Sequence, residues 1–363
     1  MKLLFTRFPL ESSLGGAEIQ TISLMEGLLG RGHAVVFVGS CPILLQLCKE
    51  RGIPAIELNI GPPPVTKWGA ISFLWRKAAM RRKLLDVLSG FHDLDAIVML
   101  SLSEKFLATE EMMRHGTRVF WIEHDSVGRW LTRNPWLPKL RSASNLATTV
   151  TVSELSRKIF LDLGWDAARI VAIPNGIDLK RFSSESSDSS VSSESSIKIA
   201  CISRLAPEKG VDLLIEAVQN TKNIQLTIVG KGKEESRLKA LIQSSASSIL
   251  PSVPNLQTLY CSHDIFVLPS RNNDPFGLVA AEAMVLGIPV VVTDACGIAG
   301  YLEDGKTAVI VKAGSSETLR EGIERLRDPA VRKRVRDAGK TFAEEHFSLE
   351  RMIDRYETLL RKP

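Results

Sequence analysis

Short runs of apolar, largely β-branched residues recur along the chain. Between them lie longer stretches whose apolar positions fall three and four residues apart. The first pattern suits buried parallel strands and the second suits helices that cover them, so their alternation predicts an α/β fold. In the first half it predicts strands at 2–6, 34–38, 53–58, 96–99, 118–122, 148–152 and 170–173, with helices between them at 17–29, 43–51, 105–114 and 154–163 among others. A second series follows, with strands at 197–202, 224–229, 265–268, 290–293 and 308–311 and helices at 211–219, 234–244, 277–286 and 316–326.

Two Rossmann-like halves account for both series, and ligands of such halves sit at the carboxyl ends of the strands. The turn Pro174-Asn175-Gly176 marks the boundary, giving domains over 1–174 and 175–345 that face each other across a cleft. The closing stretch 349–361 reads as a helix that can pack on either half, and completing the first is one assignment. Residues 183–196, "SSESSDSSVSSESS", hold ten serines, three acids and one valine. That composition buries too little apolar surface to offset chain entropy, so a flexible surface loop is expected.

Composition changes this picture little. The 363 residues carry a formal charge of +5, which fits binding of phosphates, nucleic acid or an anionic surface and selects none of them. The five cysteines are odd in number and widely spaced, as in a cytoplasmic protein with reduced thiols. No secretory signal opens the chain and no run of 18 apolar residues occurs, so a cytoplasmic protein, at most peripheral on the membrane, is expected.

Candidate chemistry gathers at the predicted strand ends. In "CISRLAPEKGVDLLIEAV" a strand ends at Arg204, and Lys209 and Gly210 precede a helix. Two cations beside a helix N-terminus make an anion site; the alternative is a basic surface loop. Gly230-x-Gly232 lacks the third glycine of a dinucleotide fingerprint, and no phosphate-binding P-loop occurs. Gly15 and Gly16 after the first strand permit close backbone approach to a ligand or simply make a turn. His124 follows a strand, flanked by Glu123 and Asp125, and suits either a hydroxyl contact, acid–base work or a structural role. Asp93 and Asp95 lack a third ligand nearby, and no metal site is expected.

"RNNDPFGLVAAEAMVLGIPVVVTD" poses a sharper question. Glu282 stands in a helix that is otherwise apolar, where an ionised carboxylate is costly without a partner. Asp274 before Pro275 reads as an N-cap followed by the first helical residue. A ribose diol would satisfy Glu282, and the amides at Gly277 and Leu278 would face the anion held by Arg204 and Lys209. One ligand meets all three needs, a nucleoside diphosphate.

These motifs resemble those of glycosyltransferase family 4, retaining enzymes with the GT-B fold. The resemblance runs through "LGGAEIQ", "PNGID", "SRLAPEKG", "IVGKGKE", "HDIFVLPS", "PFGLVAAEAMVLGIPVV" and "GIAGYLEDGKTAVIV". It implies that Arg204 and Lys209 hold the donor diphosphate, that Glu282 holds the ribose, and that Gly277 and Leu278 reach the distal phosphate and sugar. It further implies that Gly16 belongs to the loop opposite the diphosphate and that His124 lies near the transferred sugar. Asp274 stands where the family usually has Glu in contact with sugar hydroxyls, one methylene short. "SSASSILPSVPNLQTLY" is a ragged version of the strand and turn near the nucleobase. The implied reaction is metal-independent transfer, with retention, from a UDP-sugar or GDP-sugar to a hydroxyl of a glycan or lipid-linked acceptor in cell-envelope polysaccharide synthesis. A catalytically silent nucleotide-sugar-binding protein and a nucleotide-sugar epimerase are the alternatives. No cofactor and no nucleic-acid partner are expected.

Residues 67–88 hold six cations and one acid, and Ile71, Leu74, Trp75, Ala78, Leu85 and Leu88 follow helical spacing. Tryptophans beside a basic face suit an interfacial helix on anionic lipid, with an ordinary packed helix as the plainer reading.

Overall fold

The computed structural model describes residues 1–10, 15–182, 196–219 and 221–362; the serine-rich segment lies outside the described residues apart from Ser196. The chain forms two compact units. One comprises Met1–Pro174 with Met352–Pro363, the other Asn175–Arg351.

The first unit is built on a parallel sheet of β1 (Lys2–Arg7), β2 (Ala34–Gly39), β3 (Ala55–Glu57), β4 (Ala96–Met99), β5 (Arg118–Glu123), β6 (Thr148–Thr151) and β7 (Ile170–Ala172), in the order β3-β2-β1-β4-β5-β6-β7. The register pairs Leu4 with Val36 on one side and with Ile97 on the other. β3 is shorter than the apolar run 53–58 because Pro54 offers no amide to the ladder and the strand lies at the sheet edge, where Ala55, Ile56 and Glu57 are exposed. The second unit holds β8 (Ile197–Ile202), β9 (Ile224–Val229), β10 (Ser247–Leu250), β11 (Ile265–Leu268), β12 (Val290–Thr293) and β13 (Val309–Val311), in the order β10-β9-β8-β11-β12-β13. Every strand pair is parallel.

Each sheet has its own core. Leu4, Ile97, Val119 and Trp121 anchor the first, and Ile199, Leu226, Val267 and Val291 the second. The central strands are buried on both faces, so they read as continuous apolar runs rather than alternating ones. Cys41, Cys48, Cys201 and Cys296 are buried, and all five cysteines are free thiols.

The closing helix Leu349–Arg361 packs on the first unit. Arg31 binds Asp354 at 2.6 Å and Glu357 at 2.7 Å, and His33 Nε2 lies 3.0 Å from Glu357. In the helix Lys67–Leu88 the buried positions are Ala70, Phe73, Met80, Leu84 and Leu88. Of the six apolar positions at helical spacing, Ile71, Leu74 and Trp75 face outward and Leu88 is buried. Among the described residues no helix is long and apolar enough to cross a membrane.

Candidate active site

In the second sheet the strand order reverses between β8 and β11, and loops leaving strands on either side of such a point frame a crevice. β8 runs into a 3-10 turn, Pro207–Lys209, and then the helix Val211–Gln219. β11 runs into residues 269–277 and the helix Leu278–Val285. The two loops are stitched together. The amides of Arg271 and Asn272 donate to the Glu208 carbonyl at 2.9 and 3.2 Å, and the Arg271 guanidinium reaches the Asp212 carboxylate at 3.0 Å. The loop after β9 closes on the first of these so tightly that a Cβ at Gly232 would lie 2.1 Å from the Leu205 carbonyl oxygen.

Lys209 Nζ donates to Asp274 Oδ2 at 2.6 Å, and Ser270 Oγ donates to the same oxygen at 3.0 Å. Arg204 is the outward cation of the pair: its side chain is 71% exposed and its nearest acid, Glu208, is 3.7 Å away. An inward ammonium and an exposed guanidinium beside one loop give a grip for a dianion.

Asp274 is not a helix cap. Its amide donates to the Ala295 carbonyl at 2.9 Å and its carbonyl accepts from Gly297 at 2.8 Å, so residues 274–276 run extended beside 295–298. Pro275 therefore precedes the helix without entering it. The cap is Gly277, with φ 99° and ψ 50°, and a Cβ there would lie 2.9 Å from Leu268 Cδ2. Only glycine meets both demands. The helix begins at Leu278, whose first amides have no acceptor within it.

Glu282 sits one turn further on. Its Oε2 accepts from the Tyr260 hydroxyl at 2.9 Å, while Oε1 has no partner among the described residues. Burial raises the Glu282 pKa above the usual carboxylate range, and the Tyr260 hydrogen bond and the Arg181 charge work against that rise. A half-satisfied carboxylate in an apolar helix is poised to accept further hydrogen bonds.

The first sheet reverses between β1 and β4. At the end of β1, Arg7 Nη2 donates to Glu18 Oε1 at 2.6 Å, and both side chains are buried. Gly16, exposed, is the first residue of the helix Gly16–Gly30. Lys105, from the helix after β4, donates to Glu123 at the end of β5 at 2.7 Å. His124 is the next residue and is half-buried. Burial, assisted by the Arg7 and Lys105 cations, pushes its imidazole down to about 3. His124 is thus neutral near pH 7, suited to hydrogen bonding and not to donating a proton as an acid.

The structure brings Lys209 and Asp274 into contact and sets Gly277, Leu278 and Glu282 on one short segment. Gly16 and His124 belong to the other unit. Sequence reasoning missed Tyr260, Ser270 and the pairs Arg7–Glu18 and Lys105–Glu123. The one signal for Tyr260 was an aromatic with a polar tip just before a buried strand, in a stretch read only as ragged. That stretch folds as β10 and a helix, Leu256–Cys261, capped by Asn255.

Two parallel-sheet Rossmann-like units with polar loops at the strand ends define the GT-B architecture. The family model described as Glycosyltransferase Family 4 matches residues 14–181, and that described as Glycosyl transferases group 1 matches 182–342. The chain belongs to family 4 of the glycosyltransferases. It is 28% identical to a Mycobacterium leprae protein named phosphatidyl-myo-inositol mannosyltransferase, over 90% of this chain and 87% of that one. It is 30% identical to a Corynebacterium glutamicum protein named as a GDP-mannose-dependent mannosyltransferase, over 52% of this chain; the match spans 55% of that relative's length. Anabaena HepE, solved with UDP and glucose, superposes with a TM-score of 0.79 at 21% identity over 99% of both chains. The outer-core galactosyltransferase WaaB gives 0.76 at 16% identity over the whole of both. At such identities these two likenesses speak for the fold alone. The protein is a GT-B glycosyltransferase related to enzymes of cell-envelope synthesis.

Proposed function

We propose that this chain moves a sugar from a nucleoside-diphosphate donor, a UDP-sugar or GDP-sugar, to a hydroxyl of a glycan or lipid-linked acceptor, retaining the anomeric configuration. The observation that carries this reading is Glu282. It is a carboxylate on an apolar helix with one oxygen bonded to Tyr260 and the other open to a ribose diol, in the same unit as the cations Arg204 and Lys209. In the reaction the bond from the anomeric carbon to the phosphate oxygen breaks and the acceptor oxygen takes its place on the same face. The acceptor proton passes to the departing diphosphate. Arg204, Lys209 and the amides at Gly277 and Leu278 stabilise the charge that develops there, so the chain's own groups supply the electrostatics without a metal. By resemblance to the family, we assign His124, as neutral imidazole, to a hydroxyl of the transferred sugar and Gly16 to the donor-side loop. We assign Asp274 the sugar-contact position of the family, reached once the phosphate draws Lys209 away.

The name of the Corynebacterium relative, which specifies GDP-mannose, supports the donor class. Free thiols throughout fit a cytoplasmic site of action. One observation favours a second reading, a silent nucleotide-sugar-binding protein: Asp274 is already occupied by Lys209 and Ser270. A panel of UDP-, GDP- and ADP-sugars decides between them, with nucleotide release followed with and without acceptors and with and without EDTA. Acceptor-dependent release that survives EDTA is expected. Binding without release favours the second reading, and release of an epimerised sugar overturns both.

A further inference from the structure

Glycosyl transfer makes no use of the outer face of the helix Lys67–Leu88. The inner face is firmly placed: Ala70, Phe73, Met80, Leu84 and Leu88 are each at most 4% exposed, and the Trp136 indole donates to the Ala70 carbonyl at 2.8 Å. Opposite it, Trp68 is 76% exposed, Trp75 72%, Leu74 55% and Ile71 36%. Positions 68, 71 and 75 recur at helical spacing with Leu74 beside them, so these four side chains make one apolar stripe. Single exposed apolar residues are ordinary, whereas a contiguous stripe with two tryptophans marks a contact surface.

The cations sort into two groups. Arg76 donates to the carbonyls of Pro62 and Gly69, Arg81 pairs with Glu111 at 2.8 Å, and Lys77 lies 5.3 Å from the centre of the Trp136 ring. Those three hold the unit together. Lys67, Arg82 and Lys83 are exposed and have no partner among the described residues. Lys67 precedes the stripe, and Arg82 and Lys83 lie two turns beyond Trp75, so positive charge brackets the apolar surface at both ends.

We propose that this face lies flat on an anionic lipid bilayer, with Trp68, Ile71, Leu74 and Trp75 at the headgroup–acyl boundary and Lys67, Arg82 and Lys83 on lipid phosphates. Indoles suit that boundary because the ring is apolar and its N–H remains wet. Flanking cations match a negatively charged plane, and a helix of this kind lies in the interface without spanning it. The proposal adds a partner to the glycosyl-transfer reading without depending on the donor, and its test involves no nucleotide.

The full chain is sedimented with phosphatidylcholine vesicles, with or without phosphatidylglycerol, and its tryptophan emission is recorded. Binding is expected on the anionic vesicles, weakening as salt rises, with a blue shift of emission. The variant Lys67→Ser/Arg82→Ser/Lys83→Ser is expected to bind roughly a hundred-fold more weakly, at about a decade for every one to two cations removed. Trp68→Ser/Trp75→Ser is expected to lose both binding and the blue shift, with circular dichroism unchanged. Absence of binding to anionic vesicles, or equal binding by wild type and both variants, overturns the proposal. So does self-association in vesicle-free solution that disappears in the tryptophan variant without any lipid binding, which would assign the face to a second copy of the chain.

Discussion

Lys209 and Asp274 lie 2.6 Å apart with side chains only 14% and 10% exposed, while Arg204 in the same loop is 71% exposed. The two cations therefore answer differently to mutation. Lys209→Ala leaves a buried carboxylate with Ser270 as its one side-chain partner among the described residues, costing about 3 kcal/mol of stability as well as activity. Arg204→Ala breaks no close pair, so its melting temperature is expected to stay unchanged while transfer is abolished. Parallel melting curves and turnover assays check this, and near-normal turnover in Arg204→Ala would remove the diphosphate role. These residues were legible because each breaks a local pattern: cations at a strand end, one carboxylate among alanines and valines. Their partners were not legible. Tyr260 lies 22 positions from Glu282 and Lys209 lies 65 from Asp274, and only the folded loops bring them together.

At the scale of elements, the central strands could be read directly, since strands buried on both faces appear as unbroken apolar runs. The start of the helix Leu278–Val285 could not. Asp-Pro is equally a helix cap and an extended lead-in, and the choice is made by residues 295–298, which pair with 274–276 only in the fold. The stripe of Lys67–Leu88 stayed undecided for a related reason: helical spacing shows that a face exists and leaves open whether protein covers it. The ends of β1 and β5, with the helix after β4, define a further property. They place Arg7 and Lys105 where their charge, added to burial, lowers the His124 pKa from its ordinary value to about 3. Between pH 6.5 and about 3 the unfolded chain takes up a proton at His124 that the native state refuses, so stability falls as pH falls through that window. Urea denaturation at pH 7, 5 and 4 is expected to show a steeper acid loss in wild type than in His124→Asn. Identical slopes would mean that the imidazole titrates normally.

Across the whole molecule, the closing helix shows what amphipathic pattern alone leaves undecided. Leu349–Arg361 follows the second unit in sequence yet packs on the first, where Ile353 meets Gly27 so closely that a Cβ on that glycine would lie 2.1 Å from Ile353 Cδ1. The two-unit plan followed from the repeated strand–helix series and the turn at Pro174. The surface that receives the last helix depended on a glycine with no sequence signal of its own. Each unit has a separate core, and the groups proposed to bind the nucleotide, Arg204, Lys209, Tyr260, Leu278 and Glu282, all belong to the second.

The central claim, a nucleoside diphosphate whose ribose is held by Glu282, is tested most directly by calorimetric titration of UDP and GDP against their 2′,3′-dideoxy counterparts. Wild type is expected to bind at least one ribonucleotide ten- to a hundred-fold more tightly than its dideoxy form, the value of hydrogen bonds to a charged group. Tyr260→Phe should narrow that preference several-fold, and Glu282→Gln should largely erase it. Equal affinity of wild type for the two forms, or no binding of either diphosphate, would contradict the account.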